Sequence, residues 1–484
     1  MTVTILPIAN GFYKSDSLPI SAQECIGFYP NIPQAPALNA ETLLPTPGIS
    51  LVATSGALST DVNRGSYNLN KVPYFVNGAT LYRVEAGLTL TSIGTIAGTG
   101  RVSMASNGTQ LIIIVRGAGS TGCIYTVSGG LVTISDVDFK ANGQPQYAVY
   151  IDSFFVCTTD TKKFIKSASN DGTSWNALDF STAEADPDDI VAPIVYNNQL
   201  FIGGSITIEG FSNIGGTADF PFQRTGLYID KGIFGAFTIV QASDTFMWIG
   251  GGEDESPAIW ALNGNSPEKI STTAIDSLLQ GFTRAEIADS FTWSYAQKGA
   301  YFVGFVLPTT TMVYDTISGR WHERKSFVNN ETLTQEELVR NRINSLTSAY
   351  GLILVGDSKD GRIGSLDVNV FEEYDQPIYR SVSTQPFQNN MQAFFVPWIE
   401  LTTESGVGSS TVTNPVINMS SSKDGGKIWT DPKPRNLGKL GEYNQRQIWR
   451  KLGRVSRFRL FRFTITDSVK AVIIQLTADI RGST

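Results

Sequence analysis

Short apolar runs recur along this chain, each closed by turn-forming residues and followed by a second strand-like stretch. Tyr74–Val76 ends at Asn77-Gly78 and gives way to Leu81–Val84; Leu111–Val115 ends in a glycine-rich turn and gives way to Cys123–Val127. Phe154–Cys157, Leu200–Ile202, Phe246–Ile249, Tyr301–Val306 and Leu352–Val355 repeat the pattern, three of them running straight into glycine. From Tyr74, Leu111, Phe154, Leu200, Met247, Tyr301 and Leu352 the steps are 37, 43, 46, 47, 54 and 51 residues. A repeat of this length with several strands per unit marks the blades of a β-propeller, each a small antiparallel sheet. A pair of β-sandwiches would space its turns similarly, and neither a WD nor a kelch consensus occurs. The drift in step length predicts irregular insertions between units.

Two segments depart from the β pattern. In Ser271–Trp293, Ile275, Leu278 and Leu279 stand at helical spacing, and Thr283–Glu286 reads as a capping box opening a further helical turn. Glu331–Leu346 is polar and charged and reads as a surface insertion between blades. Residues 1–60, with scattered prolines and no period, read as an extended arm rather than a core element. From Thr384 to Thr413 charge falls away and hydroxyls accumulate, which marks the entrance to a separate domain. The expected architecture is all-β. It has an extended N-terminal arm over 1–60, an irregular β-propeller with small helical insertions over 61–385, and a basic C-terminal β-sandwich over 386–484.

Composition supports that class. Charged residues make up only 17% of the chain, beside 46 glycines and 11% aromatics, which suits short strands joined by tight turns. Cys25, Cys123 and Cys157 are odd in number, widely spaced and without a CxxC, so neither a disulfide scaffold nor a thiolate zinc site is expected. The N-terminus has no basic region leading into an apolar core, and no apolar run approaches the ~20 residues of a membrane helix. The expectation is a protein folded in a reducing cytoplasm that does not insert into membranes.

Charge is distributed unevenly. Residues 420–484 hold 14 Lys and Arg against 5 Asp and Glu, whereas the whole chain sums to −7, leaving −16 on residues 1–419. The densest stretch, Tyr443–Thr466, interleaves arginines with aromatic and aliphatic residues. Strand periodicity there puts Arg457, Arg459 and Phe461 on one face and Phe458, Leu460 and Arg462 on the other. Arg446, Trp449, Arg450, Arg454, Arg457 and Arg459 are the candidate interface residues. Arginine with aromatics suits either phosphates and bases or the anchor positions of a protein interface. The acidic body favours the second, with neighbouring copies as the complementary surface.

Catalytic chemistry finds little support. The single histidine, His322, sits in a strand-like stretch beside Trp321 and is expected to be partly packed rather than a general base. Ser422–Trp429 matches the Asp-box of sialidase-like propellers, and Ser169–Trp175 is one residue short of it. In both, an aspartate accepting turn N–H groups and a packed tryptophan would staple a hairpin. Gly250–Gly252 and Gly215-Gly216 read as turns, since no phosphate-loop spacing surrounds them. Asp186–Asp189 reads as a solvated acidic turn, lacking calcium-loop spacing. No catalytic residue, metal or cofactor is expected, although a sialidase-like or polysaccharide-binding propeller stays open as the alternative function.

Several long stretches, taken together, resemble the tail hub proteins of short-tailed phages, also known as packaged DNA stabilisation proteins. They are Glu24–Gln34 with Thr46–Ser50, Gly98–Ile114, Leu227–Val240, Lys269–Asp315 and, above all, Ser421–Ile480. The resemblance implies a structural virion protein located in the tail. It implies a homohexameric ring below a portal–adaptor ring that closes the DNA exit channel and retains packaged double-stranded DNA until ejection. It also implies attachment sites for a tail needle and for tailspikes or tail fibres. No catalytic residues carry over from such a family.

Overall fold

The computed structural model describes residues 2–56, 61–117, 119, 121–183, 188–215, 220–328 and 338–482. Antiparallel sheets follow one another as the blades of a propeller, seven among the described residues. Their first strands are Asn63–Leu69, Val102–Ser106, Pro145–Ile151, Ile190–Tyr196, Ile239–Ala242, Phe291–Gln297 and Ile343–Ala349. Each first strand contacts that of the next blade, and the seventh contacts the first, so together they close a ring around a central tunnel. The tunnel holds a cavity of about 380 Å³ bordered by Tyr67, Met104, Tyr147, Ile194, Ile239 and Phe291 among others.

The local chemistry explains the strand pairs. Asn70-Lys71, Asp152-Ser153, Asn197-Asn198, Lys298-Gly299 and Tyr350-Gly351 all have positive φ at both positions. Two such residues between antiparallel strands make the primed turn whose twist matches the strands it joins. The second strands, Val72–Asn77, Gln110–Val115, Phe154–Thr159, Gln199–Gly204, Thr245–Gly251, Ala300–Val306 and Leu352–Asp357, are buried almost throughout. Each of the seven apolar runs falls on one of them. A strand covered on both faces by neighbouring blades needs an unbroken apolar run rather than an alternating one.

The seventh blade is completed from the other end of the chain. Gly48–Thr54 pairs antiparallel with Arg362–Asp367, from Gly48↔Asp367 to Thr54↔Arg362. Gly48 is held so tightly that a Cβ there would lie 2.4 Å from the carbonyl oxygen of Glu372. Ile49 enters the core between blades 6 and 7 with Trp293, Phe302, Val313 and Val355.

Residues 2–47, expected to form an extended arm rather than a core element, instead send several short strands into the core. Phe28, Leu43 and Cys25 are fully buried. Cys25–Ile26 bridges Arg320–Phe327 of blade 6 to Arg380–Ser383, and Thr2–Leu6 pairs along Ile473–Gly482. These pairings carry the sheet of blade 6 directly into the C-terminal β-sandwich.

One sandwich sheet runs Gln447–Val455, Phe394–Thr403, Ile473–Gly482, Thr42–Pro45 and Phe28–Asn31; the other contains Arg380–Ser383, Phe458–Ile465, Val416–Ser422 and Lys433–Asn436. Arg380–Ser383 thus joins the sandwich just ahead of the expected boundary at 386. Sandwich residues, blades 5 and 6, the N-terminal strands and helix α1 (Thr273–Gln280) share one apolar cluster.

Two sequence expectations for the insertions fare differently. Helices α1 and α2 (Arg284–Ala288) occupy the predicted segment, and Thr283 and Glu286 form the capping box. Of Glu331–Leu346, residues 331–337 lie outside the described residues. The remainder is not an insertion: Leu338–Arg340 pairs with blade 6, and Ile343–Ala349 is the first strand of blade 7.

The closing strand gives a test with its own control. Ile49→Ala removes a fully buried side chain and should cost about 2–5 kcal/mol in urea unfolding. Leu51→Ala, two residues along the same strand but 55% exposed, should stay within about 0.5 kcal/mol.

Candidate assembly surface

The basic stretch forms an edge strand of one sandwich sheet, Gln447–Val455, and then a strand of the other, Phe458–Ile465. Gln447–Val455 pairs on one side with Phe394–Thr403, with Trp398 opposite Arg450 and Phe395 opposite Arg454. Cross-strand partners share a face, so Arg450 and Arg454 stand beside two aromatic side chains on the outside of the sandwich. Lys451 and Gly453 have positive φ, and the register shifts between Val396 and Trp398, so a bulge turns this edge. Three strands away in the same sheet, Val3 and Ile5 are each 57% exposed, and Phe395 on the adjacent strand is 43% exposed.

The six candidate residues divide into two sets. Arg450, Arg454 and Arg457 are exposed, and none has an ion-pair partner among the described residues. Arg446 is also exposed but holds Glu400 with two contacts of 2.6 Å. Trp449 and Arg459 face inward. Trp449 packs at 5.4 Å from the ring of Phe463, and its indole N–H donates to the carbonyl of Lys433. Arg459 is buried, its guanidinium donating to the carbonyls of Leu452 and Arg454 at 2.6 and 3.0 Å, and burial lowers its pKa. It braces the turn between the two basic strands from within. The surface open to a partner is therefore Arg446, Arg450, Arg454 and Arg457, with Phe395 and Trp398 alongside.

Arg462, on the opposite face from Arg459, lies 3.9 Å from the centre of the Trp429 ring and pairs with Glu24 at 2.8 Å. That contact ties the sandwich to the N-terminal strands. Sequence reading missed both Phe395 and Glu24, because their partners lie far along the chain.

The Asp-box has the geometry its sequence predicts. Asp424 accepts from the N–H of Lys427 and Ile428 at 3.0 Å each and from the Ser422 hydroxyl at 2.7 Å, which lowers its pKa. Gly425 and Gly426 both carry positive φ. In the shorter copy, Asp171 accepts from Thr173, and buried Trp175 donates to the carbonyl of Gly172 at 2.8 Å. Both motifs are staples.

Three other readings change. His322 is completely buried rather than partly packed, against Tyr29 and Phe302, with Nε2 accepting from Arg324. Burial, then the charge of Arg324, hold its pKa well below the ordinary value. Asp188 is not solvated: it is buried and accepts from the N–H of Ile206 and Thr207. Gly250 and Gly251 end a strand rather than form a turn, and a Cβ at Gly250 would overlap the carbonyl of Gly232.

Residues 5–371 match the family model described as the β-propeller of bacteriophage P22 Gp10, and residues 379–481 match the one described as its β-sandwich. The tail hub protein gp10 of Salmonella phage P22 is 24% identical over 427 residues, which cover 84% of each chain. Among solved structures, the WD40 β-propeller domain of Doa1 superposes with a TM-score of 0.39 at 13% identity, covering 66% of this chain and 98% of that one. That superposition is too loose to carry any argument.

Two outcomes follow from the geometry. His322 binds its proton less well folded than unfolded, so stability is lost as pH falls below about 6.5. As the sole histidine, it should supply a slope approaching 1.4 kcal/mol per pH unit below that point, and His322→Gln should flatten urea unfolding midpoints between about pH 6.5 and 5. Arg459→Ala leaves two carbonyls without their donors and should destabilise by about 1–3 kcal/mol, whereas Arg457→Ala should be neutral within about 0.5 kcal/mol.

Proposed function

The chain belongs to the bacteriophage P22 Gp10 family through both its propeller and its sandwich, and we propose that it serves as a phage tail hub, a structural subunit of the virion tail. In this reading copies assemble as a hexameric ring below a portal–adaptor complex. The ring closes the DNA channel, retains the packaged DNA and offers attachment sites to a tail needle and to tailspikes. The observation that carries the proposal is that two family models match consecutive parts of the chain in the order of its two folds.

The charge distribution supports the ring. Side-to-side subunits that close by rotation meet through two different surfaces, which must complement each other. Here a body of net charge −16 over residues 1–419 accompanies a sandwich edge bearing Arg450, Arg454 and Arg457. Such complementarity sets orientation and suppresses wrong encounters. An acidic lumen would also repel DNA in transit. Phe395 and Trp398 beside the arginines supply the apolar part that a stable contact needs.

The test replaces Arg450 and Arg454 together with alanine. Both side chains are exposed, so the melting temperature should hold. Assembly onto portal–adaptor particles should fall at least tenfold, and heads should lose DNA. Normal assembly together with loss of a steeply salt-dependent DNA affinity in the free subunit would give the arginines to nucleic acid instead.

A further inference from the structure

A second cavity of about 430 Å³ lies at one end of the central tunnel, bordered by Arg101, Arg340, Asn344, Ser290, Phe291 and Pro308 among others. Arg101 and Phe291 border both this cavity and the tunnel, so they stand at the partition between the two. The guanidinium carbon of Arg101 lies 3.4 Å from the centre of the Phe291 ring, and that of Arg340 lies 5.3 Å from the same centre. Two cations therefore share one aromatic ring.

Neither cation is neutralised by the groups around it. Arg101 donates to the backbone carbonyl and the side-chain oxygen of Asn344, at 2.9 Å each, and both acceptors are neutral. Arg340 has no hydrogen-bond or ion-pair partner for its side chain among the described residues. Two carboxylates also border the cavity, but neither pairs with these arginines. Glu286 accepts from the N–H and the hydroxyl of Thr283 at 2.8 Å each, and Asp289 acts on Arg116. Burial, then the charge of Arg340, push the Arg101 guanidinium down to about 9. Like charges set close together are costly unless an anion joins them. Guanidinium forks suit the paired oxygens of a phosphate or carboxylate.

We propose that this cavity binds a small oxyanion, phosphate or carboxylate, held by Arg340 and Arg101 against the face of Phe291. The site lies at the junction of blades 2, 6 and 7, so an occupant would join blades that are far apart in sequence. It is independent of the tail assignment and of the sandwich arginines.

Calorimetric titration of the unaltered chain with inorganic phosphate and with succinate, at ionic strength matched by chloride, tests it. Saturable binding of one or both anions is expected, with a matching rise in melting temperature. Phosphate alone, or succinate alone, identifies the preferred oxyanion. Arg340→Gln should weaken the dissociation constant at least tenfold, Arg340→Lys should weaken it less, and Arg457→Ala should leave it unchanged. No saturable heat with either anion, or binding that survives in Arg340→Gln, overturns the proposal. Since the first result needs no substitution, a variant that fails to fold cannot leave the question open.

Discussion

The structure depends on one strand pairing. Gly48–Thr54 hydrogen-bonds to Arg362–Asp367 and thereby turns a row of blades into a closed ring. Without it, blade 7 ends in an unpaired edge and the contact between blades 7 and 1 loses its support. A closed ring resists local opening because every blade is packed on both sides. The cost is entropic, since the pairing joins segments separated by most of the propeller, and such non-local contacts slow folding.

Polar groups reinforce the same seam. Asn63 donates to Asn77, and Asn77 donates to the Ser55 hydroxyl at 2.7 Å, linking blade 1 to the end of the closing strand. In blade 7, buried Arg342 meets Asp357 at 2.5 Å, while Arg342 and Arg362 lie 4.6 and 4.4 Å from the Tyr374 ring. Asn341 donates to buried Glu373 at 3.0 Å. A network this fully buried contributes specificity more than net stability, because removing one member strands the others.

The propeller was legible in the sequence because its second strands are covered on both faces and must be continuously apolar, and the helical insertion because its capping box is local. The N-terminal strands were not. Cys25–Ile26 is two residues long and leaves no period, and its neighbours in space lie hundreds of residues away. Ile343–Ala349 was hidden for a related reason: Arg342 and Asn344, which read as surface residues, spend their polarity on Asp357 and Arg101. At the candidate surface, period-two reasoning put Arg457, Arg459 and Phe461 on one face; Arg459 and Phe461 share it, but Arg457 precedes the strand and is exposed. The period alone could not say that this face is the inner one, where carbonyls rather than a partner receive the guanidinium.

The distant pairing also sets a clock on synthesis. Gly48–Thr54 leaves the ribosome long before Arg362–Asp367 exists. At roughly 5–20 residues per second, the delay is on the order of tens of seconds. For that time blades 1 to 6 can form in order while the strand that completes the last one waits unpaired. A nascent chain is therefore an open row with two sticky borders, and only a finished one is a sealed unit. Premature termination would yield a product able to capture neighbours edge to edge, and the demand on host chaperones would fall in that interval rather than after release.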